Sequence, residues 1–107
     1  MLTLIKVYDD TCDVCKTLAG LDEEVAEENG LFFRKITISD LAANPSALRD
    51  YVVSVYVTPS ADGKIDVPIY LIETSQGHIQ ASSVVSILEE LKNMISAYQK
   101  WVSTQSV

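Results

Sequence analysis

The sequence predicts an α/β domain in three layers: a central four-stranded mixed sheet, built βαβα then ββα along the chain, with helices on both faces. Three observations point there. Apolar, β-branched runs at residues 2–8 and 31–38 bracket a stretch of helical spacing, the pattern of two parallel strands joined by a right-handed crossover. Two shorter runs, 69–72 and 78–81, flank Ser75-Gln76-Gly77 and read as an antiparallel hairpin. After them Val84, Ile87, Leu88, Leu91, Met94, Ile95 and Tyr98 keep the i, i+3, i+4, i+7 rule, the cleanest helical stripe in the chain.

Taken in order, strand one ends at the polar turn Asp9-Asp10-Thr11. From there to about Asn29 the spacing predicts one helix, with Cys15, Leu18, Ala19, Val25 and Ala26 sharing a face. Asp22, Glu23, Glu24, Glu27 and Glu28 populate its solvated sides. Gly20 weakens this helix by about 1 kcal/mol relative to alanine, and Asn29-Gly30 stops it. Strand two closes at Ser39-Asp40. A second helix follows, with Asn44 as N-cap, Pro45 as first residue, and Leu48, Tyr51, Val52 and Val55 on one side. Residues 58–66, which hold Pro59, Asp62-Gly63 and Lys64, read as a loop, with 59–66 an insertion. Pro68 opens strand three, and Ser82 or Ser83 caps the last helix. Trp101 and Val102 extend its packing, and residues 103–107 form a frayed tail. The whole of 1–107 reads as one domain.

Composition narrows the function. Eight basic against fifteen acidic residues leave a net charge of −7, which argues against a phosphate backbone or an anionic membrane as partner. With 48% apolar residues the chain is expected to fold rather than stay disordered. No apolar stretch approaches the ~20 residues of a membrane span. The first residues read as a strand rather than a signal peptide, and two cysteines three apart are not a secreted disulfide framework. The expected setting is therefore the reducing cytoplasm, where such a pair is catalytic or metal-binding rather than structural.

That pair is Cys12-Asp13-Val14-Cys15, at the junction of strand one and helix one. A vicinal dithiol there suits thiol–disulfide exchange: one thiolate attacks a partner's disulfide and its neighbour resolves the mixed disulfide. At the helix start, unpaired N–H groups and the helix dipole favour a thiolate on Cys12. Asp9, Asp10 and Asp13 oppose it, and Lys6 and Lys16 offset part of their field. The balance predicts a thiol less acidic than in strongly oxidising proteins, hence a reductant. Cys15, one turn on, should point inward. Elsewhere His78 reads as a surface residue beside a turn, and Tyr51, Tyr56 and Tyr70 as packing. Asp62-Gly63 is a turn without the ligand series of a metal loop. No serine has the His and carboxylate of a recognisable hydrolase pattern, and there is no Gly-rich phosphate loop.

This order, with CxxC after strand one and Pro68 opening strand three, resembles the thioredoxin superfamily over residues 1–99, and within it the glutaredoxins and small glutaredoxin-like thioredoxins. The resemblance implies Cys12 as attacking thiol and Cys15 as resolving thiol. It matches Val67-Pro68 to the family's X-cis-Pro, whose backbone pairs with bound peptide or glutathione. Thr11, Asp13 and Val14 complete the implied substrate-binding rim. It further implies no bound cofactor, a monomer, a disulfide-containing protein as substrate, and electron transport from a thioredoxin-reductase-like donor or glutathione. Four features depart from the pattern. Thr11 stands where the family often has Trp or a Pro-containing motif, and Asp13-Val14 is neither Gly-Pro nor Pro-Tyr. Residues 58–66 lengthen the loop before Pro68. Ala81-Ser82-Ser83 replaces the Gly-Gly and acidic residues with which glutaredoxins hold glutathione, and this shifts the expected donor to a reductase. Pro59 is a worse match for the cis-Pro, because Ser60-Ala61-Asp62-Gly63 cannot form a central strand.

The function so predicted is a thiol–disulfide oxidoreductase that reduces protein disulfides. Two other readings stay open on the sequence. One is a non-catalytic adaptor on the same fold, binding a partner through residues 58–66 and the rim. The other is zinc or iron–sulfur binding in a dimer, since one CxxC supplies half of a tetrahedral thiolate site.

Overall fold

The run Leu4-Ile5-Lys6-Val7 is buried on both sides in the computed structural model, which describes residues 1–105. A strand covered on both faces belongs at the centre of a sheet with helices above and below. Strand β1 (Thr3–Tyr8) pairs in parallel with β2 (Phe32–Thr37), Leu4 facing Phe33. On its other side it runs antiparallel to β3 (Ile69–Glu73), Leu4 facing Ile72. Strand β4 (Ile79–Val84) returns beside β3, so the order is β2-β1-β3-β4. This is the predicted mixed sheet. Gly77, with φ of 83°, makes the turn between β3 and β4 in a backbone region that favours glycine.

Period-two alternation splits the core into two layers. Leu4, Tyr70 and Ile72 pack on one face against Leu18, Val25, Ala26, Leu91 and Ile95. These come from helices α1 (Asp13–Leu18), α2 (Leu21–Glu28) and, last in the chain, α5 (Leu88–Gln105). Ile5, Val7, Ile69 and Leu71 pack on the other face against Leu41, Leu48 and Val52. Those belong to α3 (Ile38–Ala43) and α4 (Ala47–Val52), the latter running into a π-helical turn, Val53–Val57. Residues 59–66 have neither helix nor strand.

Several boundaries differ from the sequence reading, each for a physical reason. The helix expected to run unbroken to Asn29 is two helices, broken at Gly20, whose φ of 83° no helix accommodates. The break leaves Ala19 exposed, while Asp22, expected on a solvated side, is buried. Strand two ends at Thr37 rather than at Ser39-Asp40: Thr37 Oγ1 accepts from the Asp40 N–H at 3.1 Å and starts α3. The second expected helix is capped by Ser46, whose Oγ accepts from the Arg49 N–H at 3.0 Å, and not by Asn44 before Pro45. The Asn44 side chain instead donates back to the Asp40 carbonyl. The wider π-helical turn carries Val55, a predicted core residue, to the surface.

Ser82 and Ser83 are strand residues, not caps, because β4 continues to Val84. The start of α5 is closed by Glu90, whose carboxylate accepts from the N–H groups of Ser86 and Ile87. Ile87 therefore leaves the stripe and is exposed, whereas Leu88, Leu91, Met94, Ile95 and Tyr98 pack inward. Trp101 and Val102 are largely exposed, and Trp101 extends the packing through its ring, 6.1 Å from that of Tyr98. The expected fraying from residue 103 is not seen, since α5 continues through Gln105; residues 106 and 107 lie outside the described residues.

Candidate functional site

The turn after β1 aims the chain at the site. Asp9 Oδ1 accepts from both the N–H and the hydroxyl of Thr11, at 3.1 Å each, and the Asp9 carbonyl accepts from the Cys12 N–H at 3.0 Å. This aspartate-led turn is a local alternative to helix. It delivers Cys12 to the N-cap of α1 in extended geometry, φ −84° and ψ 114°. Cys12 and Cys15 are joined in a disulfide with Cα atoms 5.2 Å apart. Cys12 is partly exposed and Cys15 only 2% exposed, so one sulfur alone is open to a partner.

Two groups address the outer sulfur. The Cys15 N–H donates to Cys12 Sγ at 3.1 Å, one of the amides that the first turn of a helix leaves unpaired. The Val67 carbonyl oxygen lies 3.7 Å from the same sulfur, and the Val67–Pro68 peptide is cis. The Pro68 carbonyl accepts from the Val85 N–H at 3.1 Å, which ties this corner to the end of β4. Of the remaining predicted rim residues, Thr11 and Asp13 are exposed beside Cys12. Val14 is half-buried and packs on the Leu4–Leu18 core, so its side chain serves packing.

Beneath the dithiol lies a polar cluster that the sequence reading missed. Lys6 Nζ donates to the Cys15 carbonyl at 2.9 Å and pairs with Asp22 Oδ2 at 2.6 Å. The Tyr70 hydroxyl donates to Asp22 Oδ2 at 2.7 Å, and the Glu23 N–H to Asp22 Oδ1 at 2.7 Å. Burial, then the hydrogen bond to Asp22 and its negative charge, hold the Tyr70 hydroxyl far above the usual tyrosine range. Removing one partner from such a buried pair leaves an uncompensated charge and costs about 3–5 kcal/mol. A signal was present in the sequence. Asp22 falls four residues after Leu18 and three before Val25, in step with the buried stripe, and Lys6 interrupts the apolar run of a central strand. A lone charge of opposite sign on each of two packed faces is the mark of a pair. Lys6 and Cys15, with Tyr8, Asp10, Lys16 and Lys35, border a cleft of about 140 Å³ that opens to solvent.

Other singled-out residues lie elsewhere. His78 is exposed in the β3–β4 turn, at the far end of β3 from Pro68. Tyr51 and Tyr56 share the Ser82 hydroxyl at 2.7 Å each, and burial pushes the Tyr56 hydroxyl up. Asp62 accepts from Ser60 Oγ and the Lys64 N–H, which closes a turn. Among the described residues no three His, Cys, Asp or Glu side chains lie together so as to hold a metal ion. No described helix is long and apolar enough to cross a membrane.

Fold and site define a class: an α/β protein with a half-exposed dithiol at the junction of its central strand and first helix. No family model and no curated protein sequence matches the chain. Its shape is similar to solved thioredoxins. The thioredoxin pre-protein of Schistosoma mansoni superposes with a TM-score of 0.65 at 20% identity, over 91% of this chain and 78% of that one. A poplar thioredoxin h gives 0.62 at 21% identity, over 90% and 74%. A thioredoxin f2 solved in complex with ferredoxin:thioredoxin reductase gives 0.58 at 15% identity, over 92% and 77%. The chain has the thioredoxin fold.

Proposed function

We propose that the protein is a dithiol–disulfide oxidoreductase that reduces disulfides in protein substrates. In the reduced protein, the Cys12 thiolate attacks one sulfur of a substrate disulfide. A Cys12–substrate bond forms, the substrate's own S–S bond breaks, and the departing sulfur takes up a proton. Cys15 then loses its proton and attacks Cys12 Sγ. The Cys12–Cys15 bond forms, the mixed disulfide breaks, and the second substrate sulfur leaves and is protonated. Two electrons and two protons pass to the substrate. A reductase restores the dithiol: a thioredoxin f2 of similar shape is solved in complex with ferredoxin:thioredoxin reductase, and Ala81-Ser82-Ser83 lacks the Gly-Gly and acidic residues with which glutaredoxins hold glutathione. Substrate peptide runs along Val67-Pro68, with Thr11 and Asp13 at its flanks.

The observation that carries this reading is the pair of unequal sulfurs. Cys12 is reachable and receives the Cys15 N–H, while Cys15 is covered and meets only what is already bound to Cys12. Reduction of insulin disulfides tests it. Wild type should precipitate the insulin B chain, Cys12→Ser should be inert, and Cys15→Ser should hold substrate as a mixed disulfide that dithiothreitol releases. Wild-type and Cys12→Ser rates both at background would leave the fold serving as an adaptor.

A further inference from the structure

We propose that the cavity enclosed by α3, α4 and residues 59–66 binds a medium-chain aliphatic carboxylate, with its chain between apolar walls and its headgroup on Arg49. The cavity lies on the sheet face opposite α1, and the proposal stands independently of the dithiol reading. Its volume is about 350 Å³, near the lower end of the ~300–1,000 Å³ usual for small-molecule sites. Leu41 of α3, Val52 of α4, Val53 and Val57 of the π-helical turn and Ile65 of the loop form its walls. Among the described residues on its border, Arg49 alone is charged.

Two features that the dithiol chemistry does not use build this cavity. The first is the π-helical turn, where the Thr58 N–H donates to the Val53 carbonyl at 2.8 Å. Such turns are rare and gather at functional sites. Here the turn leaves Val53 on the cavity wall with 42% of its surface exposed. The second is the segment 59–66. Asp62 accepts from Ser60 Oγ at 2.8 Å and from the Lys64 N–H at 3.0 Å, and the chain then returns Ile65 to the Leu41–Val52 core. Arg49 supplies the polar end. It is half-buried, and among the described residues its guanidinium has no ion pair and no hydrogen bond. Asp50, next along α4, is exposed and does not pair with it. A guanidinium is a planar fork that matches the two oxygens of a carboxylate. No other side chain on the border donates a hydrogen bond, which leaves the third oxygen of a phosphate unserved. An uncharged ligand would leave the cation unanswered.

Titration of the isotope-labelled protein with octanoate, followed by NMR of its amides, tests this. Saturable shifts are expected at Leu41, Val53, Gly63 and Ile65. Shortening the probe to heptanoate and hexanoate should weaken binding about fourfold per methylene. Octylammonium has the same chain and the opposite charge, and the net charge of −7 would favour it wherever attraction is merely general. It should bind at least about tenfold more weakly than octanoate. Arg49→Gln should weaken octanoate about tenfold and leave octylammonium no weaker than before. The proposal is overturned by an absence of saturation up to about 5 mM octanoate, or by shifts centred on another part of the fold. Octylammonium binding as tightly as octanoate overturns it as well, in the wild type alone and without recourse to a variant. So does an Arg49→Gln protein that keeps the full affinity for octanoate.

Discussion

Replacing Gly20 by alanine should destabilise the protein by about 1–2 kcal/mol. Gly20 joins α1 to α2 with φ of 83° and ψ of −42°, a region an L side chain enters at a cost of about 1–3 kcal/mol. No atom outside its chain neighbours lies within 4 Å of where the new Cβ would stand, so no clash adds to this backbone cost. Alanine also narrows the unfolded ensemble, which returns about 0.4–1 kcal/mol. The net loss corresponds to a fall in Tm of roughly 5–10 °C for a domain of this size. Urea denaturation followed by far-ultraviolet circular dichroism, with the disulfide intact, measures it. A gain near 1 kcal/mol would refute the reasoning, because that is the response of a glycine inside an unbroken helix. The sign matters for the site, since α1 carries Cys15 and α2 carries Asp22.

Two further outcomes follow from the same geometry. Tyr70 keeps its proton in the folded state to a pH well above the ordinary tyrosine value of 10.0, so its stabilising contribution is whole below the unfolded value of 10.0 and is lost progressively as the pH rises from there toward the raised folded value. Urea midpoints at neutral pH and at about pH 11 should therefore fall more for wild type than for Tyr70→Phe; equal falls would count against the Asp22–Tyr70 contact. Ser46→Ala should cost about 1 kcal/mol in urea as the N-cap of α4 is lost. Asn44→Ala, at the residue the sequence pattern favours as cap, should cost less than half of that, and the reverse ranking would mean that α4 starts earlier.

Much of the architecture was legible because it depends on local pattern. Apolar runs of strand length at 2–8, 31–38 and 69–72, with helical stripes between and after them, specify β1, β2, β3 and the inward face of α5 without knowledge of distant contacts. The dithiol at the end of β1 and the Pro68 corner were readable for the same reason: each is a short motif at an element boundary. Boundaries themselves were harder. A cap competes with its neighbours by fractions of a kcal/mol, so Ser46 over Asn44, or Glu90 over Ser82, is decided by where the packed helix must begin. Gly20 was read for its low helix propensity when its positive φ was the feature that counted.

By itself, the order of residues determined the strand sequence, the two-layer core and the position of the CxxC turn, since alternation and helical periodicity act over a few neighbours. Only the tertiary structure decided that Lys6 and Asp22, sixteen positions apart, meet beneath Cys15 with Tyr70 closing the cluster. A buried charge survives only beside its partner, and that partner is supplied by packing α2 over β1 and β3, which no local pattern encodes.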